Sequence, residues 1–320
     1  MAQHFLLNSA ARTLSLASVA RMTEDQARAT LQNIRWADNG GEAYCPKCGC
    51  VTLYVYRTRF LWKCKACNHQ FSVTSGTLFA NRKMAIRDIL VAIAIFANGA
   101  KGHSALQLSR DIDCQYKTAY VLAHKIREAL SAGDRSATVS GHVEVDGCYV
   151  GGYVKPANHK ENRRDRRLAT NQTGKRSVVI VMRERGGKTL TFVSKTEDAS
   201  VPTISARVAP GSTVYADEAS HWDVLHAKFD TKRINHSAAY STAEGCTNQA
   251  ESFFSRLRRA EEGQHHHISG PYLASYAAEM DWREDNRRVS NGAQFGMMVA
   301  ASMAHPVSRM WKGYWQRALN

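Results

Sequence analysis

The spacing of hydrophobic residues changes character near residue 140 of this 320-residue chain. In the first part, apolar residues recur at intervals of three and four, which is the spacing of one face of a helix. Thr23-Glu-Asp-Gln26 is typical of a capping box and begins the first of these segments. The pattern predicts helices over residues 27–34, 84–97, 104–112 and 117–130.

From residue 142 onward, short runs rich in β-branched residues alternate with helical segments. The expected strands are residues 142–150, 177–183, 189–193, 212–216 and 233–236. The expected helices are residues 199–208, 220–229 and 249–261. The order βββαβαβα is that of a ribonuclease-H-like fold, in which a mixed sheet is flanked by helices. The sequence therefore predicts a multidomain α+β protein whose second half is ribonuclease-H-like.

Four cysteines form two closely spaced pairs. Cys45-Pro-Lys-Cys48 and Cys64-Lys-Ala-Cys67 are separated by fifteen residues. Two such pairs at this separation are typical of a zinc site with tetrahedral thiolate coordination. Four thiolates leave no open position, so the expected role of a single Zn²⁺ is structural. Cys50 is near in sequence and is not expected to bind the metal.

The helical segments after the cysteines suggest a DNA-binding module. Residues 99–102 form a turn that is followed by two short helices, which is the shape of a helix-turn-helix. The last helix of such a motif enters the major groove. The side chains suited to contact DNA there are Lys117, Tyr120, His124 and Lys125. A plain helical linker domain remains the alternative, since no single feature decides between the two.

Charge strengthens the case for a nucleic acid partner. The chain has 43 Lys and Arg against 28 Asp and Glu, a formal charge of +15, and such a surplus favours a polyanion. No run approaches the ~20 apolar residues of a membrane span, and the cysteine usage suits a reducing cytosol. We therefore expect a cytoplasmic protein that is associated with the nucleoid when it binds DNA. The most basic segment, residues 158–176, contains Arg163, Arg164, Arg166 and Arg167.

Three carboxylates follow one another in an order that places them at strand ends and on a helix. Asp146 lies in the first strand, Asp217 follows the fourth, and Glu251 is near the start of the last helix. Adjacent parallel strands would bring the first two together. Three converging carboxylates would repel one another unless they held divalent metal. Two Mg²⁺ ions held in this way, or Mn²⁺ in their place, can drive phosphoryl transfer on nucleic acid.

The last helix also carries cations. Arg258 lies two turns after Glu251 and therefore on the same face, where it can contact the DNA backbone. Arg256 and Arg259 are further candidates for DNA contact.

Two residues near the expected site have open roles. His236, near the end of the fifth strand, is expected either to support the active site or to make a structural hydrogen bond. Glu144 shares a strand face with Asp146, and we expect it to be solvated or paired with Arg rather than to bind metal.

The segments that contain these residues closely resemble the DDE transposases of bacterial insertion sequences, and more narrowly the ISXO-like group with an N-terminal zinc ribbon. In this family the third catalytic position is Glu or Asn, so Glu251 and Asn248 both stay open, with Glu251 favoured by its seven-residue spacing to Arg258. The resemblance covers about residues 20–290. The matching segments are residues 34–36, 44–49, 62–67, 71–77, 143–152, 217–218, 235–236, 251–258 and 276–283, with Asn286.

The resemblance implies an insertion-sequence transposase that binds terminal inverted repeats and catalyses Mg²⁺-dependent DNA cleavage and strand transfer. The expected partners are double-stranded DNA, as element ends and as target, and further copies of the chain in a homodimer or higher oligomer. The alternatives are an inactive DNA-binding protein derived from a transposase, or a ribonuclease-H-like nuclease. The expected domains are an N-terminal helical segment (1–40), the zinc ribbon (41–80), a helix-turn-helix-like domain (81–135), a catalytic domain (140–290) and a C-terminal tail (291–320).

Overall fold

The computed structural model describes residues 5–133, 136–152, 154–165, 168–234, 241–242 and 245–316. The chain divides into two compact units, one formed by residues 1–132 with 288–320 and the other by residues 133–287. No helix within the described ranges is long and apolar enough to cross a membrane. His236, Arg166 and Arg167, for which the sequence suggests functional roles, lie outside the described residues.

The secondary structure is mixed α and β. The α-helices are α1 Leu16–Ala20, α2 Glu24–Arg35, α3 Ile86–Asn98, α4 Ala105–Asp111, α5 Tyr116–Ser131, α6 Val201–Arg207, α7 Asn248–Ala260, α8 Gly270–Asp285 and α9 Asn291–Ala304. The strands are β1 Leu53–Tyr56, β2 Leu61–Cys64, β3 Gln70–Phe71, β4 His142–Val150, β5 Ser177–Glu184, β6 Thr189–Ser194, β7 Thr213–Asp217, β8 Asp230–Ile234, β9 Ser241–Thr242 and β10 Gly245–Cys246. A 3-10 helix spans Ser220–Ala227, and a π-helix spans Glu261–His265.

The first unit is built around α3, which is buried along most of its length because its sequence is apolar on most faces. Helices α1, α2 and α9 pack against α3, and α9 also packs against α2 and α5. The segment expected from the sequence to be a tail therefore contains a core helix. Its buried residues include Phe295, Met298 and Val299.

Two helices of this unit begin with side-chain caps of different origin. The predicted capping box of α2 is confirmed, since the Thr23 hydroxyl accepts from the Gln26 amide at 3.2 Å and the Gln26 side chain accepts from the Thr23 amide at 2.8 Å. Helix α3 has no capping side chain of its own. The carboxylate of Glu24 accepts from the amides of Ile86 at 2.8 Å and Arg87 at 3.1 Å. A residue of α2 thus supplies the cap that α3 lacks.

The four paired cysteines converge on one point. Their sulfur atoms are 3.6 Å apart for Cys45 and Cys67, 3.5 Å for Cys48 and Cys64, and 3.4 Å for Cys48 and Cys67. All four lie within 4.8 Å of one another. Tetrahedral zinc with bonds of about 2.3 Å would hold its sulfurs about 3.8 Å apart, so the cluster fits the predicted structural Zn²⁺.

The rest of the zinc ribbon is small and depends on aromatic packing. Strands β1, β2 and β3 form an antiparallel sheet in that order. The ring of Trp36 is 1% exposed and lies 5.4 Å from the ring of Trp62, which stacks on Phe71 at 5.7 Å. As expected, Cys50 stays outside the four-sulfur cluster, and its thiol contacts the carbonyl of Thr52. Metal coordination replaces the larger core that a module of this size cannot form.

The second unit contains a five-stranded sheet with the order β6-β5-β4-β7-β8. Strand β5 is antiparallel to β4 and β6, and β7 is parallel to β4 and β8. One face packs Val143 and Val145 with residues of α6 and the 3-10 helix. The other face packs Cys148 and Val150 with residues of α7 and α8. The strand period of two therefore decides which side chains of β4 face α7.

Two sequence-based boundaries in this unit are corrected by the structure. Strand β8 is described over Asp230–Ile234 and begins three residues before the expected residue 233, because it pairs in parallel with β7 from Thr213 opposite Asp230 onward; the expected residues 235–236 lie outside the described residues. Only Thr231 and Ile234 are buried in it, so this edge strand has too weak an apolar pattern to be located from sequence. The segment expected to be a helix over residues 220–229 is a 3-10 helix over Ser220–Ala227.

Helix α8 covers the outer edge of strand β6. The carboxylate of Asp281 accepts from the amide and hydroxyl of Thr191 at 3.0 and 2.7 Å. The carboxylate of Asp285 accepts from the amide and hydroxyl of Thr189 at 3.0 and 2.7 Å. Four helical residues and two strand residues both advance by about 6 Å, so the two spacings match. The exposed amides of an edge strand are thereby satisfied within the chain.

The zinc ribbon leads to the first prediction. Cys45→Ser in the full-length protein should lose the roughly one zinc per chain and unfold residues 41–80, because metal binding is folding energy in so small a module. Elemental analysis and hydrogen exchange measure the two effects. Cys50→Ser is the matched control and should keep both the zinc and the protection. Retention of zinc and protection by Cys45→Ser would contradict the assignment.

Candidate active site

The strand register brings Asp146 and Asp217 to the same edge of the sheet. Strands β4 and β7 are parallel, with His142 opposite Thr213 and Glu144 opposite Tyr215. The same offset continued by two residues sets Asp146 opposite Asp217, and neighbouring strands are about 4.8 Å apart. The pairing of β4 with β7 ends at Glu144 and Tyr215, two residues before the aspartates and near the carboxyl end of β7. The structure thus supports the convergence that the sequence predicts.

Helix α7 lies over the face of the sheet that carries both aspartates. Its buried residues, which include Ala250, Phe253 and Leu257, pack against Cys148 and Val150 of β4. Asp146 and Cys148 are on alternate positions of one strand and so share this face. Glu251 is next to the buried stripe of α7 and is partly buried. The negative charge of Glu251 contributes to the electrostatics of Asp146.

Contacts at both ends of α7 set its direction along β4. The amides of Gln249 and Ala250 donate to the carboxylate of Glu144 at 2.8 and 3.1 Å. Burial raises the pKa of the Cys148 thiol, and the positive charge of Arg258, two turns further along α7, opposes that rise. Because Glu144, Asp146 and Cys148 follow one another on β4, the helix runs along the strand in the same direction. Glu251 therefore lies between the two contacts, on the stretch of helix that passes Asp146.

The alternative third ligand has a different environment. Asn248 is exposed at the first position of α7, whereas Glu251 is partly buried and acts electrostatically on Asp146. The environment favours Glu251 over Asn248. The expectation that Glu144 pairs with Arg is confirmed, since Arg185 Nε donates to Glu144 at 2.9 Å and the carboxylate is fully buried.

The electrostatics of the site are those of crowded carboxylates. Burial raises the pKa of Asp146 to about 7, and the neighbouring charges of Asp217, Glu197 and Glu251 add to the rise, while a hydrogen bond from the amide of Gly147 opposes it. Such a set offers the hard oxygen ligands and the excess negative charge that Mg²⁺ requires. Among the described residues, the four cysteines are the one group of three or more potential ligands that is already arranged closely enough to hold a metal ion.

Two residues of this site were missed by the sequence analysis. The carboxylate of Glu197 lies against the backbone of Gly147, where a Cβ atom would be 2.3 Å from its Oε1. Nε2 of His221 is 3.4 Å from Glu197, and the burial of Glu197 raises its pKa. Glu197 follows β6 without a local motif, so nothing in the sequence signals its proximity to Asp146. Gly147 is the one hint, because only glycine tolerates so close an approach.

Helix α5 is partly covered by the C-terminal segment. His124 is 1% exposed and stacks on Trp311 at 4.3 Å, so its expected role in DNA contact is corrected to core packing. Tyr120 is packed among Trp311, Tyr314 and Trp315. Lys125 is half-buried, and its ammonium group donates to the carbonyl of Leu78 at 3.4 Å. Lys117 remains exposed, near the ring of Trp315.

The basic residues of the second unit fall into two groups. Arg163, Arg164, Arg258 and Arg259 are exposed, as a role in phosphate contact requires. Arg256 is half-buried and forms an ion pair with Glu284 and a hydrogen bond of 2.9 Å with Ser252. We therefore correct its expected role from DNA contact to a structural ion pair.

Two family models match the chain. The ISXO2-like transposase domain matches residues 138–285, and the transposase zinc-ribbon domain matches residues 22–70. An uncharacterized protein in transposable element ISH50 of Halobacterium salinarum is 29% identical over an alignment of 251 residues, which covers 74% of this chain and 83% of that protein. The first match contains the three carboxylates and the second contains the four cysteines. Residues 138–285 are therefore an ISXO2-like transposase domain and residues 22–70 a transposase zinc ribbon, the combination that the motifs of the sequence predict.

Proposed function

We propose that residues 133–287 form a ribonuclease-H-like catalytic domain that cuts and rejoins DNA at the ends of an insertion sequence. One observation carries the proposal: the register of β4 and β7 brings Asp146 and Asp217 to the same edge of the sheet, and the charges of Asp217 and of Glu251 on α7 both act on Asp146. The strand order, with three antiparallel strands followed by two parallel ones, supports the same fold assignment.

The chemistry is phosphoryl transfer in two steps. Water attacks the phosphodiester at the end of the element, the bond to the 3′-oxygen breaks, and a 3′-hydroxyl is released. That hydroxyl then attacks a target phosphodiester, a new phosphodiester forms, and the target's own 3′-oxygen leaves with the proton. No bond between protein and DNA is needed. Both steps place negative charge on a phosphate that must be brought next to carboxylates.

The residues have separate roles in this proposal. Asp146, Asp217 and Glu251 would hold two Mg²⁺ ions, or Mn²⁺ in their place, which would neutralise charge on the phosphate when bound. Arg258 is exposed on the same helix and would bind the DNA backbone beside them. Two element ends must be joined to one target, so we propose that a homodimer or higher oligomer assembles on DNA.

The zinc ribbon carries the surface that we assign to DNA binding in the first unit. Residues 51–66 contain four cations, Arg57, Arg59, Lys63 and Lys65, and no acidic residue. Four large apolar or aromatic side chains of the same hairpin are exposed to solvent, namely Tyr54, Val55, Tyr56 and Phe60. A two-stranded ribbon fits the major groove of DNA, and exposed rings between cations suit bases and phosphates. Helix α5 offers less, since Tyr120 and His124 are packed against the C-terminal segment.

Cleavage and strand transfer on DNA that carries the element ends provide the test of function. These ends are the inverted repeats that flank the gene. Mg²⁺-dependent release of a 3′-hydroxyl and its joining to target DNA would support the proposal. Binding without cleavage would indicate an inactive DNA-binding protein, and cleavage of any structured DNA without joining would indicate a nuclease.

The carboxylates give the second prediction. Asp146→Asn, Asp217→Asn and Glu251→Gln should each reduce cleavage and joining to background, because each removes a negative oxygen ligand. Affinity for end DNA, measured by gel shift, should stay within about twofold of the unaltered protein, since these residues are not assigned to base or phosphate contact. Asn248→Ala is the matched control and should remain active. Loss of activity in Asn248→Ala with retention in Glu251→Gln would reverse the assignment of the third ligand.

The raised pKa of Asp146 gives the third prediction. An acid whose pKa is raised by folding lowers stability as the pH rises above its unfolded pKa of about 4, and the loss is complete above the folded pKa of about 7. Asp146→Asn should therefore raise the melting temperature of the second unit at pH 8, without added Mg²⁺, by about 2–4 °C. Scanning calorimetry measures this shift. The exposed Glu218→Gln removes the same charge and should leave the melting temperature unchanged; equal shifts in both variants would count against crowding at Asp146.

The ribbon hairpin gives the fourth prediction. The double variant Arg57→Ala and Arg59→Ala should weaken DNA binding and reduce the slope of log affinity against log salt by about 2, because each cation releases counterions on contacting a phosphate. Salt titrations on end DNA measure the slope. Lys188→Ala with Lys228→Ala removes two exposed cations elsewhere and should change the slope little. Equal slopes for the two double variants would exclude the hairpin as the main contact surface.

A further inference from the structure

We propose that Arg185 and Glu144 are positioning residues that hold the three catalytic carboxylates in place. The inference rests on the proposed function, because it concerns the same three side chains. Its basis is a regularity of the fold. The residues two positions before Asp146, Asp217 and Glu251 are Glu144, Tyr215 and Gln249. Arg185 pairs with the buried Glu144 and lies over the ring of Tyr215, and the amide of Gln249 donates to Glu144.

Glu144 forms the centre of this arrangement. It is fully buried on β4, and its carboxylate accepts hydrogen bonds from Arg185 Nε at 2.9 Å and from the amides of Gln249 and Ala250 at 2.8 and 3.1 Å. Helix α7 has no local side-chain cap, because the residue at its N-cap, Thr247, makes no capping hydrogen bond. A negative charge at a helix N-terminus is favourable, and a buried carboxylate needs donors of this kind. The first turn of α7 is therefore fixed to β4.

Arg185 connects the third element. Its guanidinium lies 4.0 Å from the ring of Tyr215 on β7, and its Nη2 donates to the carbonyl of Cys246 at 2.6 Å, just before α7. The hydroxyl of Tyr215 is in turn 3.0 Å from Nδ1 of His142, at the start of β4. One guanidinium thus contacts or pairs with residues of β4, of β7 and of the segment that leads into α7. These are the three elements that carry Asp146, Asp217 and Glu251.

The arrangement has a mechanical consequence. Three carboxylates that face one another repel, and the repulsion acts to separate β4, β7 and α7 in the absence of bound cations. Arg185 and Glu144 hold the same three elements together at the positions two residues before each carboxylate. These contacts oppose the separation. Residues that orient metal ligands typically change metal affinity 10–100-fold when they are replaced. A purely structural ion pair would instead affect stability alone.

Terbium luminescence on the full-length protein tests the inference directly. Tb³⁺ is a probe for carboxylate metal sites, and its affinity can be measured without DNA and without activity. Glu144→Gln and Arg185→Gln should weaken Tb³⁺ binding at the site by about tenfold or more. Arg185→Lys keeps the charge but loses the planar contacts with Tyr215 and Glu144, and it should give an intermediate loss. This milder variant provides the test if the others fail to fold.

Asp285→Asn is the matched control. It weakens another anchor of the same unit, that between α8 and β6, without touching β4, β7 or α7. It should lower the melting temperature and leave Tb³⁺ affinity unchanged. Asp217→Asn should abolish Tb³⁺ binding at the three carboxylates. The luminescence that is lost in this variant is therefore the part that comes from the site.

The Mg²⁺ dependence of DNA cleavage provides the second readout. The Glu144 and Arg185 variants should need about tenfold more Mg²⁺ for half-maximal cleavage and should recover rate at saturating Mg²⁺, with end binding unchanged. Variants that melt earlier but bind Tb³⁺ as the unaltered protein does would overturn the inference. Absence of cleavage by the unaltered protein would instead refute the proposed function, while the Tb³⁺ measurements would still decide the role of Arg185 and Glu144.

Discussion

The geometry of the candidate site depends on how the buried charge of Glu144 is satisfied. A fully buried carboxylate is tolerated only with close donors, and here these are a guanidinium and two amides of a helix N-terminus. The helix that carries Glu251 is therefore held by its first turn to the strand that carries Asp146. Removal of these donors would leave the buried charge of Glu144 unpaired, so the two elements are fixed relative to each other.

Distant carboxylates satisfy backbone amides elsewhere in the chain as well. Glu24 of α2 caps α3, and Asp281 and Asp285 of α8 cover the amides of the edge strand β6. Helix α3 has no capping side chain of its own, and among the described residues the edge strand β6 has no neighbouring strand on its outer side to accept from its amides. Unsatisfied amides at helix starts and sheet edges are costly when they are buried. These contacts therefore link elements that are far apart in sequence and make the packing specific.

The zinc ribbon and the second unit are stabilised in different ways. The ribbon has a small aromatic core around Trp36 and relies on four thiolates, so the side chains of its hairpin are free to remain exposed. The second unit has two apolar layers, one on each face of its sheet, and can tolerate crowded carboxylates at one edge. Crowding is destabilising in itself, which is a common property of catalytic sites.

Local spacing in the sequence is enough to predict several parts of this structure. These are helices α2 to α5, the capping box at Thr23, the four-cysteine cluster and the strands that carry Asp146 and Asp217, because each follows from a short pattern. Tertiary structure alone decided that Glu197 lies beside Gly147, since that contact joins two segments without a shared motif. Tertiary structure also decided that His124 is buried against Trp311. The amphipathic pattern around His124 and the aromatic pattern around Trp311 are each as compatible with exposure as with burial. Burial depends on which distant segment packs on a face, and no local pattern encodes that choice.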